Sequence, residues 1–327
     1  MPGGDATAEA LWYVGPGRAE IRQERLGPLA EGAVRVRALY GAVSRGTEAL
    51  IAAGRVPAGE YQRMRGPFMG GRFPFPVKYG YATVGRVEAG PDRLLGRTVF
   101  ALHPHQTLFD VPVEAAVPLP EDVPVSRAVL AANMETALNA TWDAAPVPSG
   151  PIAVVGAGVV GALAGYLFAR VPGAEVTLID INPAREGLVR ALGLNFARPD
   201  KAPADCNLVV HTSADPRGLA TAIDIAGDEA TILEMSWYGA GSVPVPLGGA
   251  FHSRRLKIVS SQVGKVAPSR RATISHRQRL EQAIALLADA RLDALLTPAV
   301  PFPELPERLP DILNRQNGVL CQLIVYP

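Results

Sequence analysis

The sequence predicts a two-part α/β protein, a β-rich module followed by a doubly wound parallel-sheet domain. Three observations predict it. Up to about residue 125 the chain runs through short β-type segments, "ALWYV", "AVRVRALY", "ATVGRVEAG", "RTVFAL" and "LFDVPV", punctuated by Gly and Pro. From Pro151 onward strand and helix patterns alternate, which implies parallel strands covered on both faces. At the first strand-to-helix junction of that second part stands "GAGVVG", three glycines spaced as GxGxxG.

The elements follow in order. After the β-rich module, "VSRAVLAANMETALNATWDAA" carries apolar residues at helical spacing and opens after a Pro, with Ser126 as its expected N-cap. "PVPSG" ends it. The apolar strand "IAVVGAG" leads into a helix through "VVGALAGYLFAR", and then come strand "EVTLID", helix "PAREGLVRAL", strand "CNLVVHTSA", helix "PRGLATAIDIA", strand "ATILEMSWYG" and strand "RLKIVSSQVG". A basic linker, "KVAPSRRATISHRQR", a helix, "LEQAIALLADARL", and a last strand, "VLCQLIVYP", finish the chain. The expected domains are 1–132, 133–264 and a C-terminal return over 265–327.

Bulk properties agree with two domains. A chain of 327 residues, 48% hydrophobic and 19% charged with a formal net charge of +1, has material for sizeable cores and no global bias toward nucleic acid or membrane. No run of about 18 apolar residues occurs and the N-terminus has no apolar signal core, so the expectation is a cytoplasmic protein with small-molecule partners. Cys206 and Cys321 stand far apart without a CxxC, which excludes a disulfide framework and a thiolate zinc cage. His103 and His105, in "HPHQ", can face one side of an extended strand, but two imidazoles without a third ligand make a poor zinc site.

The glycine motif gains meaning from its context. Gly156 permits a tight turn, Gly158 lets the backbone approach a pyrophosphate, and Gly161 allows close packing of helix on strand, with Val159 and Val160 opening the helix between them. Asp180 ends the next strand 19 residues after Gly161, where its carboxylate can accept hydrogen bonds from both adenosine ribose hydroxyls, with Ile181 beside it. That favours NAD. A 2′-phosphate meets repulsion from Asp180, although Arg185 offers it a partner, so NADP is the less favoured cofactor. Ligands in such sheets bind beyond the carboxyl ends of the strands. That nominates His211, Thr212 and Ser213, then Ser236 and Trp237, then Ser261 and Gln262, as the wall around the nicotinamide, each with the alternative of an ordinary strand-end residue.

A β-rich module, an inserted nucleotide domain and a C-terminal return resemble the medium-chain dehydrogenase/reductase superfamily along nearly the whole chain. The resemblance implies a GroES-like β-barrel for the first domain and a Rossmann domain for the second. Within the superfamily, "GAVSRGTEAL", "FPVKYGYATVG" and "NMETALNA" look like a zinc-less branch that includes bacteriochlorophyllide a dehydrogenase. Carried over position by position, the superfamily's catalytic metal ligands fall on Ser44, Tyr81 with Ala82 beside it, and near Ala132, none of which keeps the ligating residue type. The four-Cys structural lobe is absent too, since residues 90–117 hold no Cys. The resemblance therefore implies an enzyme without zinc, and something else must stabilise charge on the reacting oxygen.

Tyr81, in the place of the lost His, can donate to that oxygen, Ser44 and Thr47 can relay the proton, and Glu135 can serve as base or orienting group, while Thr136 resembles the position that contacts the nicotinamide. His105 is the runner-up proton carrier. At each position the alternative is structural: filled volume, a turn cap or simple packing. Arg55, Arg63, Arg65, Arg72 and Lys78, interleaved with Tyr61, Phe68, Phe73 and Phe75, form a long loop suited to a flat, anionic substrate, or simply a solvated basic loop. "SVPVPLGGAF" reads as an edge segment of a homodimer. The leading expectation is a metal-free NAD-dependent oxidoreductase of a secondary alcohol/ketone pair. The alternatives are an NADPH-dependent quinone or enone reductase and a nucleotide-binding protein without turnover.

Overall fold

The computed structural model describes residues 6–327, which fall into two compact units, the chain up to Ala132 together with Leu296–Pro327, and Asn133–Leu295. The first unit opens with β1 (Ala6–Gly15), β2 (Arg18–Leu26), β3 (Ala33–Val43), α1 (Arg45–Ala52), β4 (Gly70–Gly71), β5 (Val77–Lys78), β6 (Thr83–Ala89), β7 (Thr98–Ala101), β8 (Leu108–Pro112) and β9 (Val117–Pro118). Helix α2 (Ala131–Asp143) leads into the second unit. There follow β10 (Gly150–Val155), α3 (Val159–Phe168), β11 (Ala174–Ile179), α4 (Arg185–Ala191), β12 (Asn195–Ala197), β13 (Cys206–His211), α5 (Pro216–Ile225), β14 (Ala226–Glu234), α6 (Ala250–Ser253), β15 (Lys257–Ser260) and α7 (His276–Ala285). The chain returns through β16 (Leu296–Pro301), α8 (Leu305–Leu313) and β17 (Cys321–Val325).

The first unit holds two sheets, ordered β2-β1-β5-β4 and β16-β17-β3-β6-β7-β9, with β8 also pairing with β3. Side chains alternate across these strands, so Val34, Val36 and Ala38 of β3 meet Val84 and Val87 of β6, Phe100 of β7 and Phe109 of β8 in one buried interior. The return strand β17 runs antiparallel to β3, Gln322 opposite Val43 and Val325 opposite Tyr40.

The second unit is a six-stranded sheet of order β12-β11-β10-β13-β14-β15, every neighbouring pair parallel. That order reverses between β10 and β13, which puts the topological switch point there. Helix α5 begins where the Asp215 carboxylate accepts the N–H of Arg217 and Pro216 takes the first helical position. Its Leu219, Ala222 and Ile223 recur at helical spacing and pack on Ala153, Val155, Val209 and Ile232 of the sheet.

Several sequence expectations change in detail. The predicted helix from Ser126 is a 3-10 turn at Arg127–Leu130 followed by α2, and the Ser126 side chain makes no cap, because its own backbone is already helical. Strand β14 stops at Glu234 rather than running to Gly239, since the Ser236 N–H turns back onto the Glu234 carboxylate. The return to the first unit begins at Leu296, not at 265. Residues 265–295 stay with the second unit because the end of the expected basic linker is the first turn of α7, opened by a Ser275/Gln278 capping box, and Arg279 of that helix is buried.

Arg279 is 2% exposed and donates to Glu135 Oε1 at 3.0 Å, Asn139 Oδ1 at 2.6 Å, the Lys265 carbonyl at 3.2 Å and the Val263 carbonyl at 2.6 Å. The guanidinium thus ties α2, the 263–265 segment and α7 together, in the planar forked geometry that suits arginine. Removing it leaves Glu135 buried without its counter-charge. Arg279→Ala is expected to lose about 3–5 kcal/mol in urea unfolding, whereas Arg279→Met combined with Glu135→Leu recovers most of that loss. Equal losses in the two variants would show that the ion pair is not what the interior requires.

Candidate functional site

The carboxyl edge of the parallel sheet carries the glycine turn. Gly156 has φ +109, and a Cβ there would lie 2.8 Å from Thr212 Oγ1. Gly161 is more tightly constrained, because a Cβ would sit 1.9 Å from the carbonyl oxygen of Gly156. Gly158 is different: it caps α3, and a Cβ there would meet nothing within 4 Å. The turn is therefore closed on the protein side and open where a ligand's phosphates approach a helix N-terminus. Val159 and Val160, in the first turn of α3, are partly exposed.

Asp180, just after β11, braces this turn. Its Oδ2 accepts the Ala157 N–H and its Oδ1 the Asn182 N–H, both at 2.8 Å, which leaves a further lone pair on each oxygen. Ile181 beside it is 67% exposed, an apolar face left open at the end of the strand. Arg185 is buried, and burial draws its pKa down against the opposing charge of Asp180. Arg198, which the sequence reading passed over, lies on the surface here and donates to the Ile181 carbonyl at 3.3 Å. Only the strand pairing brings it there.

Among the strand-end residues, Thr212 Oγ1 turns inward to the carbonyls of Val155 and Gly156, so it holds the glycine turn from beneath. His211, Ser213 and Ser236 join one hydrogen-bonded cluster with Glu234. Ser261 donates to Asp143 at 2.7 Å, and the Gln262 side chain accepts the Gly264 N–H. Trp237 and Thr136 are partly exposed. Glu135, read as a base, has its Oε1 on Arg279; burial raises its pKa and the guanidinium opposes that rise.

In the first unit, Ser44, Thr47 and Tyr81 do come together. The Tyr81 hydroxyl donates to Ser44 Oγ and stands 3.3 Å from Thr47 Oγ1. Burial pushes the Tyr81 phenol up to about 12 against the lowering effect of those two hydroxyls, so at neutral pH it holds its proton. Rings of Tyr61, Phe73, Tyr79 and Tyr81 follow one another at centroid separations of 5.7, 6.1 and 6.0 Å, linking the aromatic part of the long loop to this cluster. Arg65 is spent on the carbonyls of Met69 and Gly71, and Lys78 on Glu24 and Gln106. Arg55 and Arg72 are exposed.

Beneath the hydroxyls lies Glu48, which the sequence reading did not single out. It is fully buried; its Oε1 accepts the Ser44 N–H at 2.7 Å, and its Oε2 accepts from Tyr13 at 2.6 Å and from His105 Nε2 at 2.9 Å. Three donors on one carboxylate make it an anchor for the start of α1, where Ser44 and Thr47 sit. A clue existed in "SRGTE", but nothing local names Tyr13 and His105 as its partners.

A zinc ion does not fit these residues. The positions that would hold it offer the neutral hydroxyls of Ser44 and Tyr81, while zinc is held by thiolate, imidazole or carboxylate. Among the described residues no cluster of three His, Cys, Asp or Glu could hold a metal. The two histidines of "HPHQ" turn to different partners: His105 to Glu48, and His103 through Nδ1 to the Pro104 carbonyl, its ring stacked 3.9 Å from Phe109.

Comparison with known proteins gives three findings. A family model described as ketopantoate reductase PanE/ApbA matches residues 152–225, the stretch from β10 to α5. No curated protein matches in sequence. Solved structures match along the whole chain. L-idonate 5-dehydrogenase from Escherichia coli has TM-score 0.80 and 13% identity, over 98% of this chain and 99% of that one. An enzyme of Escherichia coli CFT073 described as a short chain alcohol dehydrogenase, solved with NADH, has TM-score 0.77 and 17% identity, over 98% and 99%. Galactitol-1-phosphate dehydrogenase from Escherichia coli has TM-score 0.74 and 17% identity, over 97% and 99%. At such identities the likeness shows the fold. It is the α/β fold expected, a GroES-like domain with a Rossmann domain.

His103 supplies a pH test. Burial lowers its pKa from 6.5 to about 3, so as pH falls the unfolded chain takes the proton first. The stability is therefore complete above about pH 6.5 and declines between there and pH 3, by about 1.4 kcal/mol per pH unit from this group. His103→Phe, which keeps an aromatic ring in the stack, is expected to flatten the pH dependence of urea unfolding by that slope. An unchanged slope would mean that the ring is not held neutral.

Proposed function

We propose that this chain is a metal-free, nicotinamide-dependent oxidoreductase acting on a secondary alcohol/ketone pair, with NAD as its cofactor. The observation that carries the reading is the glycine turn at the switch point, closed by Gly161 against Gly156 and open at Gly158, with Asp180 at the next strand end. Those residues fit a dinucleotide: the start of α3 takes the pyrophosphate, Asp180 keeps lone pairs for ribose hydroxyls, and Ile181 gives adenine an apolar face. A bound nicotinamide supplies hydride transfer. Among enzymes of similar fold are an L-idonate 5-dehydrogenase, a galactitol-1-phosphate dehydrogenase and an enzyme described as an alcohol dehydrogenase and solved with NADH, which supports the reading.

For the rest of the chemistry this chain offers hydroxyls. Tyr81 holds a proton at its phenolic oxygen and turns it from Ser44 Oγ to the carbonyl oxygen as negative charge grows there; Ser44 and Thr47 orient the phenol and, donating to its oxygen in turn, resupply the proton. A phenol pushed up to about 12 keeps its proton at pH 7, which suits it to donate to a ketone oxygen. The exposed Arg55 and Arg72 and the ring series ending at Tyr81 favour a flat, anionic substrate. The free, buried thiols suit a reducing compartment such as the cytoplasm, and the exposed Ile258 and Val259 of edge strand β15 support a homodimer.

One observation favours the NADPH-dependent enone reductase as a second reading. Arg198 stands exposed beside the Ile181 backbone, where a 2′-phosphate would need a cation to offset Asp180. Fluorescence titration of the EDTA-treated protein separates the two. Tight NADH binding with weak NADPH binding is expected; the reverse order moves the assignment to the second reading, and binding of neither removes both. Tyr81→Phe is expected to lower kcat by about 100-fold while leaving NADH affinity unchanged, since it removes one donor to the reacting oxygen. Unaltered turnover would take Tyr81 out of the chemistry.

A further inference from the structure

Strands β13 and β14 end side by side, His211 opposite Glu234 in the register. The His211 side chain is fully buried and that of Glu234 is 15% exposed, and the two meet with Nδ1 2.7 Å from Oε2. His211 Nε2 lies 2.7 Å from Ser213 Oγ, which itself accepts the Asp215 N–H at 3.2 Å. A carboxylate only accepts, so His211 Nδ1–H is the donor between the two, and Ser213 Oγ, able both to accept and to donate, bonds the other ring nitrogen.

Glu234 accepts from His211 Nδ1, from the Ser236 N–H at 2.7 Å, and from the Tyr238 hydroxyl at 3.3 Å. No lysine or arginine pairs with it among the described residues. The neighbouring charges are committed elsewhere, Asp215 to Arg217 and Asp143 to Ser261. Burial acts to raise the pKa of Glu234, but the bonds from His211 and Ser236 outweigh it and hold the carboxyl below its ordinary value. Glu234 thus presents its carboxylate at the carboxyl edge of the sheet, held in place by His211 and Ser236.

The ligand of such an edge spans the switch point. With the pyrophosphate at the glycine turn after β10 and the adenosine beside Asp180 after β11, the other half of a dinucleotide extends over the ends of β13 and β14. A nicotinamide ring is cationic when oxidised and neutral when reduced. We propose that Glu234, positioned by His211 and Ser236, is the specificity-determining charge that biases this site toward the oxidised nicotinamide. The inference rests on the nucleotide reading above and deepens it, because Coulomb attraction from a nearly desolvated carboxylate acts on the pyridinium and not on the dihydropyridine.

The test measures the dissociation constants of oxidised and reduced cofactor, using whichever of NAD or NADP the protein binds more tightly, for the unaltered chain, Glu234→Gln, His211→Asn and the exposed Glu229→Gln as control. Glu234→Gln is expected to shift the ratio of the two constants by about tenfold against the oxidised form, a change of about 1.4 kcal/mol. Glu229→Gln is expected to keep the ratio, since it leaves Glu234 and its donors untouched, whereas His211→Asn, which removes the imidazole that positions the carboxylate, is expected to weaken the preference for the oxidised form. A Glu234→Gln protein that loses affinity for both forms equally, or in which the ratio stays unchanged, overturns the inference while leaving the nucleotide reading intact. An unaltered protein that binds neither form overturns that reading and the inference together. Should Glu234→Gln fail to fold, Glu234→Asp replaces it, with a weaker preference expected from the withdrawn charge and an unchanged one counting against the proposal.

Discussion

Gly161 packs so near the Gly156 carbonyl that no side chain fits between them, and the glycine turn of the second unit depends on that contact. Helix α3 can start directly against the end of β10 because neither residue carries a side chain. The neighbours confirm how fully the space is used: Thr212 bonds the carbonyls of Val155 and Gly156 from beneath, and Asp180 holds the Ala157 N–H from the side. The same local geometry that builds the fold sets the start of α3 at the sheet edge with open space beside Gly158, and that is where the proposed reading puts a ligand's phosphates.

Three carboxylates are withdrawn from water in this protein, and each is satisfied differently. Glu135 faces a guanidinium, Glu48 faces a tyrosine, a histidine and a backbone N–H, and Glu234 faces a histidine, a tyrosine and a backbone N–H at the mouth of the sheet. The first arrangement is the stiffest, since a buried ion pair fails badly if either partner goes. The second fixes the start of α1 and with it the hydroxyls of Ser44 and Thr47. The third lies at the carboxyl edge of the parallel sheet and is partly exposed, which separates it from the other two.

In the proposed reaction the hydroxyl cluster of the first unit takes the part that a metal plays elsewhere. Polarising a carbonyl requires positive potential near its oxygen, and a hydrogen-bond donor fixed in a low-dielectric setting provides it without an ion. Tyr81 meets that condition because its surroundings discourage ionisation, and because Ser44 and Thr47 hold its oxygen in place. The rings of Tyr79, Phe73 and Tyr61 extend from it, so the donor is set at the end of an aromatic run.

The sequence by itself determined what depends on local spacing. The β-rich first part, the alternation after Pro151, the glycine turn and the acidic residue at the following strand end all express periods or offsets within about 30 residues, and strands and helices read those directly. Tertiary structure alone decided which polar groups meet. Arg279 finds Glu135 across 144 positions, and His105 finds Glu48 across 57, so one end of an apparent basic linker became the buried centre of a unit and an unremarked glutamate became an anchor. It also fixed where the chain leaves the second unit, at Leu296, because α7 is held by Arg279 and not by any signal in the linker. The physical reason is common to all of these: a propensity or a turn acts within a few residues, whereas a buried charge is stabilised only by whatever partner the completed packing brings within reach.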